Sequence, residues 1–433
     1  MTSKHLQIRC GTDASRMQIL ILATLFLFSL FCHAEGRDLH VDPGIGDDGN
    51  DGITSPLKTI RHAIRSAEAG DTIHLKPAIY HEYAGFYDTR GEPGKPITLD
   101  GHGATLEGSD AIDPATWAEV SPGLFKNDEL LPTLNLAILW RWFFLIDGEI
   151  NRMGRVLKGR SEPFRKPEEL NSGEWTFVGN HTKSEGGSDS DKARGSFFIK
   201  LKPGQTLQQA SVRYPARSAG VQLSGDNAHL VIRNLTATHP QNDGFNIHGD
   251  CRDVVFENIR AIECGDDGIS AHETAQYRVN GFTSIGNGTG ICDTGSSETS
   301  YRNLFIADCV GVDLYFLDTG RYSVSNAVVL SSAQKPMVVA GRTSGHCTLT
   351  IDNLYLRRTG HPEPAIVASH SRVTARRLTV DNLDLRVTGE MSYDTCLING
   401  QPNPADAKSP GAELDQLIKT VVPKSYQSHF RNR

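Results

Sequence analysis

Four short stretches decide the fold: Gly220-Val221-Gln222-Leu223, Gly244-Phe245-Asn246-Ile247, Gly268-Ile269-Ser270-Ala271 and Gly290-Ile291-Cys292-Asp293. Their glycines stand 24, 24 and 22 residues apart. A second series falls between them: Asn234-Leu235, Asn258-Ile259, Gly281-Phe282, Asn303-Leu304, Asn326-Ala327, Asn353-Leu354 and Arg377-Leu378, spaced by 24, 23, 22, 23, 27 and 24. Two strand series sharing one period predict stacked coils, each burying its apolar face against the next. Alternation within a strand sends Phe245, Ile247, Ile269 and Ala271 inward, and Asn246, His248, Ser270 and His272 outward. Glycine at the corners is expected to supply positive φ. The recurring asparagines predict an internal amide ladder.

Working outward, Ile73-His74-Leu75 and Ile97-Thr98-Leu99 repeat the same 24-residue step. Before them, Pro56 to Ala67 is an amphipathic helix with Ile60, Ala63, Ile64 and Ala67 on one face, placed to plug the open end of the core. The expected architecture is all-β, a right-handed parallel β-helix of about 23 residues per coil. Residues 113–215 break the period and hold all four tryptophans, Trp117, Trp140, Trp142 and Trp175. They read as an inserted β module, its rings serving either its own core or, at Trp142, a sugar face. The expected division is 1–34 signal peptide, 35–112 cap and first coils, 113–215 insert, 216–387 main coils and 388–433 C-terminal cap or tail, with a helix over Glu413 to Val421.

With 433 residues and 38% apolar content, the chain has material for a large core and is not disordered throughout. Forty-four Lys+Arg against 51 Asp+Glu give a net charge of −7 without a basic block, which argues against nucleic acid as a partner. Lys4, Arg9 and Arg16 precede an apolar run from Ile19 to Phe31 and then Cys32-His33-Ala34, the pattern of a secretory signal cut after Ala34. The run is shorter than the roughly 20 residues of a membrane span, so a secreted or periplasmic monomer free of the membrane is expected. Cys251, Cys264, Cys292, Cys309, Cys347 and Cys396 are either paired or buried as thiols.

The opening Val41-Asp42-Pro43, Gly46-Asp47-Asp48-Gly49-Asn50-Asp51-Gly52, Ser55-Pro56-Leu57-Lys58-Thr59-Ile60 and Gly70-Asp71-Thr72-Ile73 resembles that of secreted β-helix proteins of the pectate-lyase-like superfamily, including family-nine pectate lyases. Asn242-Asp243-Gly244-Phe245, Asp266-Asp267-Gly268 and Gly286-Asn287-Gly288 are similar to that family's core coils. The resemblance spans 37–110 and 219–385. It implies β-elimination on an acidic polysaccharide, with Ca²⁺ held by Asp243, Asp266 and Asp267. Asp243 and Asp267 are 24 residues apart, hence on adjacent coils about 4.8 Å apart, and such carboxylates repel unless a cation or shared protons relieve them.

One departure matters. The family's basic Lys follows its Gly-Asn-Gly, where this chain has Gly290. His248 and His272, also 24 apart, are the candidates for the base, with Asn246 as a substrate contact and Arg302 and Arg321 as sites for a substrate carboxylate or sulfate. A second reading is similar to the polygalacturonase-type hydrolases: Asp266 is the general acid, Asp243 and Asp267 activate water, Arg321 is the basic residue, and Asn287 replaces the family's His. A third is a carbohydrate-binding β-helix that cleaves nothing.

Overall fold

The computed structural model describes residues 36–130, 134–180, 192–360, 363–403 and 411–430. The proposed signal segment lies outside them. Two parallel sheets run the length of the solenoid. One orders Asp38–Val41, Thr72–Leu75, Ile97–Glu107, Ala228–Thr238, Arg252–Ile262, Gln276–Ile285, Glu298–Ala307, Arg321–Ser331, Cys347–Arg358 and Ser371–Asp381 side by side. The other stacks Ala84–Tyr87, Val221–Ser224, Phe245–Ile247, Asp267–Ala271, Thr289–Asp293, Val312–Asp318, Lys335–Gly341, Ala365–Val367 and Leu385–Val387. Register follows the repeat: Phe245 pairs with Ile269, and Ile269 with Ile291. The inward rows form one apolar core, and helix Ile60–Ser66 buries Ile60, Ala63 and Ile64 against it near its first coils.

From Ala228–Thr238 onward the long strands share a bend at a residue with positive φ: Asn234, Asn258, Gly281, Asn303, Asn326, Asn353 and Arg377. That column is the second series of the repeat, occupied mainly by the residue besides glycine that best tolerates this conformation. The amide ladder exists there, with Asn326 Nδ2 donating to Asn303 Oδ1 at 3.3 Å and Asn353 Nδ2 to Asn326 Oδ1 at 2.9 Å. It runs along the outside of the coil, half-buried to exposed, and not within the core.

Gly220, Gly244, Gly268 and Gly290 do not take positive φ, contrary to expectation. They are glycine because the opposite sheet leaves no room. A Cβ at Gly244 would lie 2.8 Å from that of Ala261 and 3.0 Å from Cys264 Sγ. Gly244→Ala is therefore expected to destabilise the protein by about 1–3 kcal/mol, seen as a lower thermal midpoint with an unchanged far-ultraviolet spectrum.

The insert is a small antiparallel module. Strand Ser109–Ala111 pairs with Val212–Pro215, closing the excursion where it leaves the solenoid. A second sheet joins Glu174–Asn180, Lys192–Lys200, Leu124–Asn127 and Ala118–Ser121. Trp117, Trp142, Trp175, Phe144, Phe177 and Phe197 make its core. The C-terminal helix Gly411–Val421 lies flat on the outer face of the long sheet, where Leu414, Leu417 and Ile418 cover Phe305, Val328 and Tyr355. The six described cysteines are buried free thiols.

Candidate functional site

The coil period brings Asp243, Asp266 and Asp267 together as expected. Their ligand oxygens lie within 4.8 Å of one another, the only such group of three or more among the described residues. Asp243 accepts from the Asp267 backbone N–H at 3.0 Å and from Ser270 Oγ at 2.7 Å. The outward-pointing carboxylates are nevertheless buried, Asp267 only 2% exposed. The insert covers them.

The segment Arg152 to Arg160 of the insert crosses the carboxylate corner. Arg152 donates to the carbonyls of Cys264 at 2.5 Å, Gly265 at 3.2 Å and Gly286 at 2.9 Å. A Cβ on Gly311 would sit 2.0 Å from the Lys158 carbonyl, so the segment lies against bare backbone there. These anchors deliver Lys158, whose Nζ is 2.9 Å from Asp266 Oδ1 and 2.7 and 2.8 Å from the two oxygens of Asp267. Arg141 adds a guanidinium 3.3 Å from Asp266 Oδ2. A basic residue thus reaches the carboxylates from the insert, and not from the coil after Gly286-Asn287-Gly288. Asn287 is a structural residue, accepting from Cys264 N–H at 2.7 Å and donating to Ala261 O at 3.0 Å.

The charges sort themselves. Burial works against the Lys158 ammonium, yet Asp266 and Asp267 hold its pKa well above the ordinary range. Burial raises Asp266, but Lys158 and Arg141 overcome it and hold that carboxyl low. Burial and then the Asp266 charge push Asp267 well up, and the same two causes raise Asp243. A proton kept by the trio therefore resides on Asp267 or Asp243 before Asp266. Three carboxylates are a fitting donor set for Ca²⁺, but the Lys158 ammonium already fills the position between two of them. The residues as arranged do not fit that ion.

Strand Asp267–Ala271 has the carboxylates at its start and His272 just past its end. His248 and His272 stack on adjacent coils with centroids 4.1 Å apart and planes 1° apart. His248 Nδ1 is 3.2 Å from Glu273 Oε2, and His272 Nδ1 is 3.3 Å from Thr294 Oγ1. Burial and then His248 push the His272 pKa down to about 4, so it is neutral at pH 7. Asn246, Ser270, Cys292 and Tyr315 align as a row between the two ends. Asn246 spends its amide inside that row, on Gln222 Oε1 at 3.0 Å and Ser270 Oγ at 3.2 Å.

Three expected residues lie elsewhere. Trp142 is fully buried among Phe144, Phe197 and Tyr214, because the module needs it as core, and it offers no face to a sugar. Arg302 and Arg321 belong to the long sheet, on a different side of the coil from the carboxylates. Arg321 is exposed there and paired with Glu298. Lys158, Arg141 and Arg152 were not anticipated. Their signal was the run Arg152, Arg155, Lys158 and Arg160, four bases in nine residues of an acidic chain.

No protein-family model matches this chain, and no curated protein matches it. Among solved structures, one titled "Glycoside hydrolase" is similar over 91% of this chain and 100% of its own, with a TM-score of 0.52 and 10% identity. The chain is a parallel β-helix protein. This β-helix is also similar to the structure of XylC with xylose (TM-score 0.49, 13% identity, 83% of this chain and 70% of that one). For pectate lyase Pel9A the TM-score is 0.46, with 13% identity over 87% of this chain and 82% of that one. The likeness concerns the fold. No helix among the described residues is long and apolar enough to cross a membrane.

Proposed function

We propose that this protein is a secreted polysaccharide-active enzyme that cleaves a uronate-containing glycan by β-elimination without a metal. The observation that carries the reading is the Lys158 ammonium seated on Asp266 and Asp267 at the start of strand Asp267–Ala271, with neutral His272 just past its end. A sugar ring held over the half-buried Tyr315 and His272, at the edge of the buried Asn246–Ser270–Cys292 row, would place its carboxylate toward Lys158 and Arg141, which disperse the charge that builds as the neighbouring C–H ionises. With its Nδ1–H given to Thr294 Oγ1, neutral His272 would hold a lone pair at Nε2 to take that proton. The electron pair left behind forms the new C=C bond and expels the glycosidic oxygen. A bound uronate would also raise the His272 pKa, improving it as a base.

The same corner favours a second reading. Asp266 held ionised beside an Asp267 pushed up is the split of protonation that acid–base hydrolysis needs, here with Asp267 as acid and Asp266 as base, the reverse of the sequence-based roles. Incubation with uronate-rich, sulfated and neutral glycans, with and without chelator, separates them. Expected is ultraviolet absorbance of an unsaturated product rising in step with new reducing ends, indifferent to chelator. Reducing ends without that absorbance would transfer the assignment to the hydrolase. Binding without new ends on every glycan would remove both enzyme readings. His272→Ala should lower kcat by about 10²-fold or more, and retained turnover would exclude it as the base.

A further inference from the structure

The first coils carry a second set of stacked imidazoles, far in sequence from the carboxylate corner. His40 and His74 are paired across adjacent strands, with ring centroids 5.3 Å apart, and His74 and His102 follow at 5.2 Å. All three line one cleft of about 410 Å³ with Asp42, Ser55 and Lys76. Within it, His74 Nδ1 faces His102 Nε2 at 2.9 Å.

The outer nitrogens of the two rings face carboxylates. His74 Nε2 lies 2.9 Å from Asp38 Oδ1, and since an ionised carboxylate only accepts, that nitrogen carries the hydrogen. The neutral ring then presents a bare lone pair at Nδ1. His102 Nδ1 stands 3.6 Å from Asp100 Oδ1, which also accepts the His102 backbone N–H at 3.0 Å. His74, whose far N–H is held by Asp38, has the usual arrangement of a metal-bound histidine. With no cation present, His102 Nε2–H donates to the His74 Nδ1 lone pair across the 2.9 Å gap, and a cation that displaces the hydrogen meets two imidazole nitrogens.

We propose that His74 Nδ1 and His102 Nε2 form a binding site for a late first-row divalent metal, Cu²⁺ in preference to Zn²⁺ or Ni²⁺. Metal–nitrogen bonds of about 2.0–2.1 Å at a right angle put two nitrogens about 2.9 Å apart, the span found here. A tetrahedral ion would have to spread the pair, whereas square-planar Cu²⁺ fits it, and Cu²⁺ binds imidazole more strongly than its neighbours in the series. The rings are half-open, His74 25% and His102 44% exposed, so water completes the coordination and the ion enters from solvent. Asp38 holds the ligand tautomer of His74, and His40 shields one face of that ring.

The test titrates Cu²⁺ into the full chain by calorimetry and records the electron paramagnetic spectrum. Expected is one ion per chain with two nitrogen ligands. His74→Ala and His102→Ala should each abolish this site, and Asp38→Ala should weaken it about 10–100-fold, all with unchanged circular dichroism. The double variant H248A/H272A, which removes the other stacked pair, should bind as the wild type does. Undiminished binding by His102→Ala, or its loss in the H248A/H272A variant, would overturn the proposal. So would a wild type that takes up no Cu²⁺, which would leave the 2.9 Å contact to a shared proton.

Discussion

Lys158→Met is expected to abolish cleavage and to lower stability by about 3–5 kcal/mol, the usual consequence of removing one partner from a buried ion pair. The side chain holds two carboxylates through three short contacts, and its loss leaves Asp243, Asp266 and Asp267 within 4.8 Å of one another with Arg141 and the more distant Arg152 to offset them. Methionine keeps the volume and removes the charge, so the effect is electrostatic. It should deepen as pH rises and the trio loses its remaining proton. The vacated position is then the one a cation needs, and millimolar Ca²⁺ should raise the melting temperature of the variant while leaving that of the wild type unmoved. Calorimetric scans with and without Ca²⁺ decide it. A variant that melts with the wild type, or a wild type stabilised by Ca²⁺ through Asp267, would show that Lys158 is not the resident cation.

A second large effect is set by pH and lies inside the coils. Asp293 is fully buried, and burial pushes its pKa up to about 7, opposed by hydrogen bonds from Thr299, Tyr301 and Tyr277. Asp313, which stands where earlier coils have Gly268 and Gly290, is likewise raised by burial to about 7. An unfolded aspartate ionises near pH 3.9. Below that both states are protonated and nothing is lost. Between about pH 4 and 7 the unfolded chain releases its proton while the folded one keeps it, so stability falls with rising pH and levels off above 7. At about 1.4 kcal/mol per pKa unit each group accounts for roughly 4 kcal/mol over that window. Asp293→Asn removes one share, so its denaturant midpoint should fall less than that of the wild type between pH 5 and pH 8. Parallel pH profiles of the two proteins would refute it.

The solenoid was legible because each coil repeats one local problem. Phe245, Ile269 and Ile291 share one inward row, and Asn234, Asn258 and Asn303 share one bend. The same periodicity paired His248 with His272 and stacked the aspartates. Period tells which way a side chain points, but not what comes to rest on it. Asp266 and Asp267 point outward and are still covered, because an insert without a period lays Lys158 and Arg141 over them. The contact that defines the site joins residues 108 positions apart, Lys158 and Asp266, and no local pattern encodes it. Only the cluster of bases from Arg152 to Arg160 hinted that a cationic segment had an acidic surface to meet. Trp142 was misplaced for the same reason, since a ring count cannot separate a module's core from its face.

The C-terminal helix has a mechanical consequence. In a linear stack each coil holds only its neighbours, and the end coils unravel one at a time. Leu414, Leu417 and Ile418 grip Phe305, Val328 and Tyr355, which belong to three successive long strands, with Ser371–Asp381 beyond them toward the C-terminus. That grip bolts several rungs together from the side. Under a pulling force on the C-terminus the helix should detach first, and the rungs beneath it should then yield as a block, giving the stack a latch where a bare ladder would simply unzip.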